Sequence, residues 1–392
     1  MVKYSMNWTD PAAIRALGEQ WCLRPGVHYL NHGSFGPAPR CVIEAHHEWF
    51  QRLQSEPMDF LTRQAEPALD EARRRLGRFV GAPADDLVFV DNATMAMNVV
   101  AANIRLEPGD EVLTNDHEYG AVLRIWERKC SRCGAKLVVQ PIPCPVRSSE
   151  DVVAAILAGA RPRTRLLVVS HVTSPTAIVM PVEAICRQAR ALGIPVAIDG
   201  PHAVAMRPLD IVGLDCDYYA ASCHKWLCAP FGAGFLYVHP RNQRQIEPLV
   251  MSWGTTPWGG TKRWIDEFTW AGTRDPAAFL AVPAAIDFLE SLGIEGFREH
   301  THALAQRARQ RIVALTGLEP LVPDSLDWYG SMIALPLSAG DGPALQKALW
   351  EKYAIEIPVV AWQGRRLIRP SCHLYTQPEE IEGLAAALAE LL

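Results

Sequence analysis

Between about residue 75 and residue 240 the chain alternates two textures. Short, wholly apolar runs are followed by longer segments in which apolar residues recur every three or four positions. LVFV (87–90) precedes MAMNVVAANI, EVLT (111–114) precedes AVLRIWERKC, and KLVVQPI (136–142) precedes SSEDVVAAILAGA. RLLVVSHV (165–172) precedes PVEAICRQARALG, and PVAID (195–199), DYYAAS (217–222) and GFLYV (234–238) complete the series. Runs that are apolar on both faces, separated by amphipathic helices, predict an α/β fold whose mainly parallel sheet is covered on both sides.

After about residue 275 the pattern changes. AAFLAVPAAIDFLESLG and GFREHTHALAQRARQRIVALTG read as two long helices. SMIALPLS, AIEIPVV and RRLIRPSCHLY read as short strands, and PEEIEGLAAALAELL as a closing helix that starts at a proline. The expected organisation is a large domain over 30–275, with 1–29 and 276–392 forming a smaller α+β domain. No internal repeat or low-complexity segment is present.

Composition narrows the partners. The 392 residues are 49% hydrophobic and 21% charged, with a formal net charge of -5, so no basic footprint points to nucleic acid or an anionic membrane. The opening MVKYSMNWTDP is too polar for a signal peptide, and no apolar stretch approaches the ~20 residues of a membrane span. The expectation is a soluble, cytoplasmic protein. Ten cysteines in a chain of this length do not resemble a disulfide scaffold. Cys130 and Cys133 form one CxxC with no second pair at zinc-site spacing, so no metal site is expected.

On a parallel sheet, ligands sit beyond the carboxyl ends of the strands, and five groups fall there. Asp91-Asn92-Ala93-Thr94 opens a helix and offers free N–H groups to an anion; taken alone, it reads first as an N-cap. Asn115-Asp116-His117-Glu118-Tyr119 brings two rings that could stack on a flat ligand. Thr173-Ser174-Pro175-Thr176 reads as a turn. Asp199 closes a strand before Gly200-Pro201-His202, and Cys223-His224-Lys225 follows DYYAAS. An anion cradle, a stacking ring, a carboxylate and an amine at one rim fit pyridoxal phosphate: the phosphate, the ring, the pyridine nitrogen and the aldehyde each find a partner. Desolvation at such a rim would lower the pKa of Lys225 and aid its reaction with an aldehyde.

From YLNHGSFGP (29–37) to RPSCHLYTQPEEIEGL (369–384), the chain resembles the fold-type I pyridoxal-phosphate enzymes of the class V aminotransferase group, which includes the cysteine desulfurases. Its features are closest to the isopenicillin N epimerase-like branch, which also holds hercynylcysteine sulfoxide lyases and related C–S lyases. The resemblance implies a seven-stranded, mainly parallel sheet in the large domain. It implies Lys225 in SCHKW as the Schiff-base lysine, Asp199 in AIDGPHA on the pyridine nitrogen, and His202 on the ring hydroxyl. Ala93, Thr94, Ser222 and His224 would hold the phosphate, while Ser174 stands where desulfurases carry an asparagine near the ring hydroxyl, a departure from their pattern. Either His117 or Tyr119 would stack on the ring. Gly272 and Thr273 in WAGTRDP match a segment that reaches the neighbouring subunit's phosphate, which implies a homodimer with shared sites. Arg369 in LIRPS matches the arginine that grips the substrate α-carboxylate, a bidentate task suited to guanidinium.

The departures bear on the reaction. Desulfurases carry a loop cysteine shortly before that arginine, but 355–371 contains no cysteine, and Cys372 follows the arginine in an apparent strand. Transfer of sulfur to a protein thiol is therefore not expected. β-Elimination from a cysteine conjugate or cysteine S-oxide needs only a leaving group and one acid, with Lys225, Asp199 and Tyr119 as the catalytic set. Epimerisation, the alternative, needs a second acid on the opposite face, for which His32, Tyr119 and His202 are candidates; His32 would otherwise contact the substrate. Transamination is a third outcome. Trp253, Trp258 and Trp264, with Gly259 and Gly260 beside them, could form a lid over a bulky or cationic substrate arm or simply pack in the core.

Overall fold

The computed structural model describes residues 6–255 and 263–392. Seven strands build the main sheet: β1 (Leu87–Val90), β2 (Glu111–Asn115), β3 (Lys136–Gln140), β4 (Thr164–Ser170), β5 (Val196–Asp199), β6 (Tyr218–Ser222) and β7 (Gly234–Val238). Their order is β1-β7-β6-β5-β4-β2-β3. All neighbours are parallel except those of β7, which runs antiparallel to both β1 and β6.

The continuous apolar runs have a direct cause. Successive strand residues alternate between two separate cores. Leu87 and Phe89, Leu167 and Val169, and Tyr219 and Ala221 face one; Val88 and Val90, Leu166 and Val168, and Tyr218 and Ala220 face the other. Each fully buried Val, Leu or Phe stabilises the fold by roughly 1.5–3 kcal/mol, and both faces contribute, so neither can be polar.

Beyond the sheet, three short strands, β8 (Leu335–Leu337), β9 (Val359–Trp362) and β10 (Arg365–Ile368), form an antiparallel sheet in the order β9-β10-β8. His28–Tyr29 pairs with Ile355–Glu356, and the His28 imidazole meets Glu380 at 3.0 Å, tying the N-terminal segment to this region. We propose on this pairing that the chain divides near residues 30 and 275, with its first segment belonging to the smaller part. The stretch 277–293, read as one helix, is two: Ala277–Leu280 and Val282–Leu292. Pro283 lies in the first turn of the second, where its missing N–H costs nothing. No single helix among the described residues is long and apolar enough to cross a membrane.

Candidate active site

A cleft of about 490 Å³ opens at the carboxyl ends of the strands. Its wall includes Asn92, Ala93 and Thr94 after β1, Tyr119 after β2, and Ser174 after β4. Asp199, Pro201 and His202 follow from β5, Ser222, His224 and Lys225 from β6, and Arg369 closes the far side after β10. Gly33, Ser34 and Phe35 roof it from the N-terminal segment.

The helix after β1, α1 (Ala93–Asn103), aims its N-terminus at the cleft. The Asn92 side chain accepts from the Met95 N–H at 2.9 Å, and the Ser222 hydroxyl oxygen accepts from the Ala93 N–H at 2.9 Å. That leaves the Thr94 N–H unclaimed by the cap. This close approach depends on Gly234: a Cβ there would lie 2.7 Å from the Ala221 carbonyl and 2.8 Å from the Asn92 Cα. His224 is kept neutral by burial, pushed down to about 4, and its Nδ1 is buried without a protein partner.

Lys225 Nζ sits 3.0 Å from His202 Nε2. The Trp226 indole, a donor only, donates to His202 Nδ1 at 3.4 Å. His202 is held well below the ordinary imidazole range by burial and then by Lys225. Its one proton therefore lies on Nε2 and points at Lys225, which requires a lone pair on Nζ. Lys225 itself is lowered by burial, against the pull of Asp199. Lowered to about 7, the amine offers its unprotonated, nucleophilic form at neutral pH. Asp199 is buried at the end of β5; burial, and then any charge on Glu118, raises its carboxyl to about 8, while the Lys225 cation lowers it.

Arg369 is only 5% exposed. One terminal nitrogen donates to the Ser174 carbonyl, and the other to the Ser34 hydroxyl at 2.8 Å. Its Nε is buried with no partner. Burial lowers the guanidinium only to about 10, so it remains a cation at neutral pH, with one donor waiting for an acceptor.

Two expected residues are not at the cleft wall. His117 is fully buried; its Nδ1 meets the Thr176 hydroxyl at 2.8 Å, and its ring packs on Trp362 at 4.3 Å. Tyr119, 44% exposed, faces the opening instead. His32 lies behind the Lys225 turn: Nε2 donates to the Lys225 carbonyl at 3.1 Å, and Nδ1 meets the Tyr375 hydroxyl at 2.8 Å. Burial pushes it down to about 3, so within this fold it neither reaches a substrate nor serves as an opposite-face acid. Gly272 lines a separate cavity of about 280 Å³ with Leu61, Trp270 and Phe279, and Thr273 is exposed. Of the expected lid, Trp258, Gly259 and Gly260 lie outside the described residues. Trp253 is exposed, whereas the Trp264 indole donates to the Asp85 carbonyl at 2.8 Å. Glu118, which sequence reasoning passed over, stands buried between Tyr119 and Asp199; its neighbour Tyr119 was the only signal for it.

The donor set fits pyridoxal phosphate. A helix N-terminus with the unpartnered His224 Nδ1 suits a phosphate, the buried Asp199 carboxyl suits a basic aromatic nitrogen, and neutral Lys225 suits an aldehyde.

The comparisons agree. The Aminotransferase class-V family model matches residues 28–384. The chain is 40% identical over 390 residues to an isopenicillin N epimerase of Amycolatopsis lactamdurans, covering 95% of this chain and 97% of that one. It is 27% identical over 398 residues to a probable chloroplastic L-cysteine desulfhydrase of Arabidopsis thaliana, covering 94% and 83%. A solved structure of a C-DES variant with glycine covalently linked to its PLP cofactor superposes with a TM-score of 0.84 at 23% identity, covering 95% of this chain and 98% of that one. The chain belongs to the class-V aminotransferase family, with the fold-type I architecture and the pyridoxal-phosphate dependence of that group.

Proposed function

We propose that this family member removes the α-proton of an amino-acid substrate and expels a sulfur substituent from its β-carbon, as a C–S lyase acting on a cysteine conjugate or cysteine S-oxide. One observation carries the reading: a buried lysine with a lowered pKa and a buried guanidinium with an unused donor share one cleft, and no cysteine is among the residues lining it. When bound, pyridoxal phosphate supplies an electrophilic aldehyde for the substrate amine and a protonated ring that accepts the electron pair left at Cα.

The chain's own residues do the rest. The Arg369 Nε and a terminal nitrogen bind the substrate carboxylate, while Ser174 and Ser34 hold the guanidinium plane and so orient the Cα–H bond. Lys225 Nζ takes the α-proton, and His202 positions the amine through Nε2. Asp199 keeps a proton on the pyridine nitrogen. Ser222, His224, Ala93 and Thr94 hold the phosphate, and Tyr119 forms the wall over the ring. Cys372 is fully buried, and burial raises its thiol far above the ordinary range. Sulfur therefore leaves with its own substituent.

Epimerisation is the second reading. The 40% identity to an isopenicillin N epimerase favours it, as does Tyr119, a phenol in the cleft close enough to Arg369 to affect its ionisation. Holoenzyme incubated with S-substituted cysteines in deuterium oxide separates the two. Pyruvate and ammonia support elimination; loss of chirality with α-deuteration and no pyruvate supports epimerisation and sinks the lyase.

The protein is further proposed to act as a homodimer with shared sites, because Gly272 and Thr273 lie away from their own chain's cleft. Mixing Lys225→Ala and Thr273→Ala chains should restore one intact site per heterodimer. No gain after confirmed subunit exchange would refute the sharing.

A further inference from the structure

We propose that Glu118 is a positioning residue that remains a neutral acid beside Asp199, so that this pair of carboxyl groups carries a single negative charge in the working enzyme. The inference rests on the reading that Asp199 meets the cofactor's ring nitrogen, and it assigns a task to a residue that does not line the cleft.

The geometry is specific. Glu118 is 3% exposed. Its Oε1 accepts the Tyr119 N–H at 2.8 Å and the Ser170 hydroxyl. Its Oε2 is buried without any partner. Ser170 ends β4 and is the register neighbour of Asp199 on β5, so Glu118 is bonded to the residue paired with Asp199. No hydrogen bond or ion pair joins Glu118 to a lysine, arginine or histidine among the described residues.

A carboxylate in this position would bury a full charge with one oxygen bare, a state that is strongly penalised. A carboxylic acid costs less: Oε1 remains the acceptor of two donors, and Oε2 buries an unpaired O–H rather than a full charge. Two close carboxyl groups hold their protons unequally. Here the asymmetry is set by their surroundings. In the free cleft burial raises the Asp199 carboxyl to about 8, but in the proposed role it faces the protonated ring nitrogen, which favours its charge. Glu118 has the hydroxyl of Ser170 and a backbone N–H, while burial raises its carboxyl. His202 and Arg369 act on Lys225 and the cleft rather than on Glu118. With the ring nitrogen against Asp199, the charge settles there and the proton on Glu118, which has no cation beside it. Through Oε1, the same group fixes the Tyr119 backbone, and with it the ring that walls the cleft.

The test combines a direct and a kinetic measurement on holoenzyme. At neutral pH, the infrared spectrum should show the carbonyl stretch of a buried carboxylic acid that shifts on deuterium exchange and vanishes in Glu118→Gln. Glu118→Ala should lose more than tenfold in kcat. Glu118→Gln, the neutral isostere, should restore it to within about threefold while losing an alkaline limb of the pH profile that the parent shows. Identical acid-region spectra for parent and Glu118→Gln would overturn the proposal. So would a Gln variant as impaired as the Ala variant, or an Ala variant as active as the Gln variant. The infrared band is read without substrate, so it stands apart from whether the reaction is elimination or epimerisation.

Discussion

The two sides of the Lys225 turn are built from the same residue types and do opposite things. In front, the Lys225 amine faces His202, with Asp199, His224 and Arg369 around an open cleft of about 490 Å³. Behind, the Lys225 carbonyl accepts from His32, whose ring stacks on His373 at 3.9 Å; Cys228 Sγ lies 3.4 Å from His373 Nε2. Burial keeps the histidines of both sides neutral. The difference is space. The front leaves donors on His224 and Arg369 unused beside a cavity, whereas the rear is filled by Trp21, Trp226 and Tyr375. A cluster of histidine and cysteine is thus a site only where the packing leaves room for a ligand. The near-parallel stacking of His32 and His373, with the His32 Nε2 proton committed to a carbonyl, makes the rear a rigid backing for the lysine.

The largest expected effect is at the front. Lys225→Ala should reduce turnover by about 10²–10⁴-fold, the usual contribution of a positioned base, and should abolish the lysine-dependent visible band of the bound cofactor. Its thermal unfolding should remain cooperative, since the amine packs no core. A variant that retained the band would move the site elsewhere.

At the rear, the close approach is made possible by Gly36. A Cβ there would lie 2.6 Å from the His224 carbonyl and from His32 Nε2, and 2.7 Å from the Lys225 carbonyl. Gly36→Ala should destabilise the protein by about 1–3 kcal/mol, the range for overpacking, and should slow turnover by shifting the lysine. Denaturant unfolding with parental stability would show that the backing is soft.

These contrasts also explain what the chain made legible. The seven strands were readable because both of their faces are buried, so no polar residue interrupts the runs. The rim residues followed, since a strand's end fixes where its next residues lie. His32 was not readable as backing, because its direction is set by contacts with residues some two hundred and three hundred and forty positions away. The choice between His117 and Tyr119 had the same character. All of Asn115–Tyr119 is polar or ring-bearing, so no alternation marks the inward side. Trp362, far along the chain, covers His117, and its indole donates to the Asp116 carbonyl at 2.9 Å. The helices Arg40–Ser55 and Ala65–Val80 were less legible for a different reason: no apolar strand run sets off their periodicity, and the first buries only Val42 and Leu53.

Acid stability should distinguish the rear cluster from ordinary surface histidines. His32 is pushed down to about 3, and His373 lies well below the ordinary value of 6.5, both chiefly by burial. Between those limits the unfolded chain binds protons that the folded chain refuses. Stability is therefore full above about pH 6.5 and falls as the pH drops toward 3. His373→Phe keeps a ring against His32 and Trp21 but removes one such group. Its stability should fall less steeply, by up to ~1.4 kcal/mol per pH unit relative to the parent. Parallel pH–stability curves would mean that His373 is protonated in the native state.

The smallest effect is expected from the thiol nearest in sequence to Arg369. Cys372 is fully buried against Leu304, Ala308 and Ile381, and its N–H donates to the Ser331 carbonyl at 2.9 Å. It does not line the cleft, and burial raises its thiol well above the ordinary range. A persulfide carrier needs the reverse: an exposed, readily ionised sulfur that reaches the substrate. Cys372→Ala should therefore leave kcat/KM within about twofold of the parent, with a modest loss of stability from the vacated sulfur volume. Trapping with an alkylating agent during turnover of a sulfur substrate should find no modified sulfur on Cys372. A persulfide there, together with a large loss of activity in Cys372→Ala, would show that the rear of the molecule opens during catalysis and would return the chemistry to sulfur transfer.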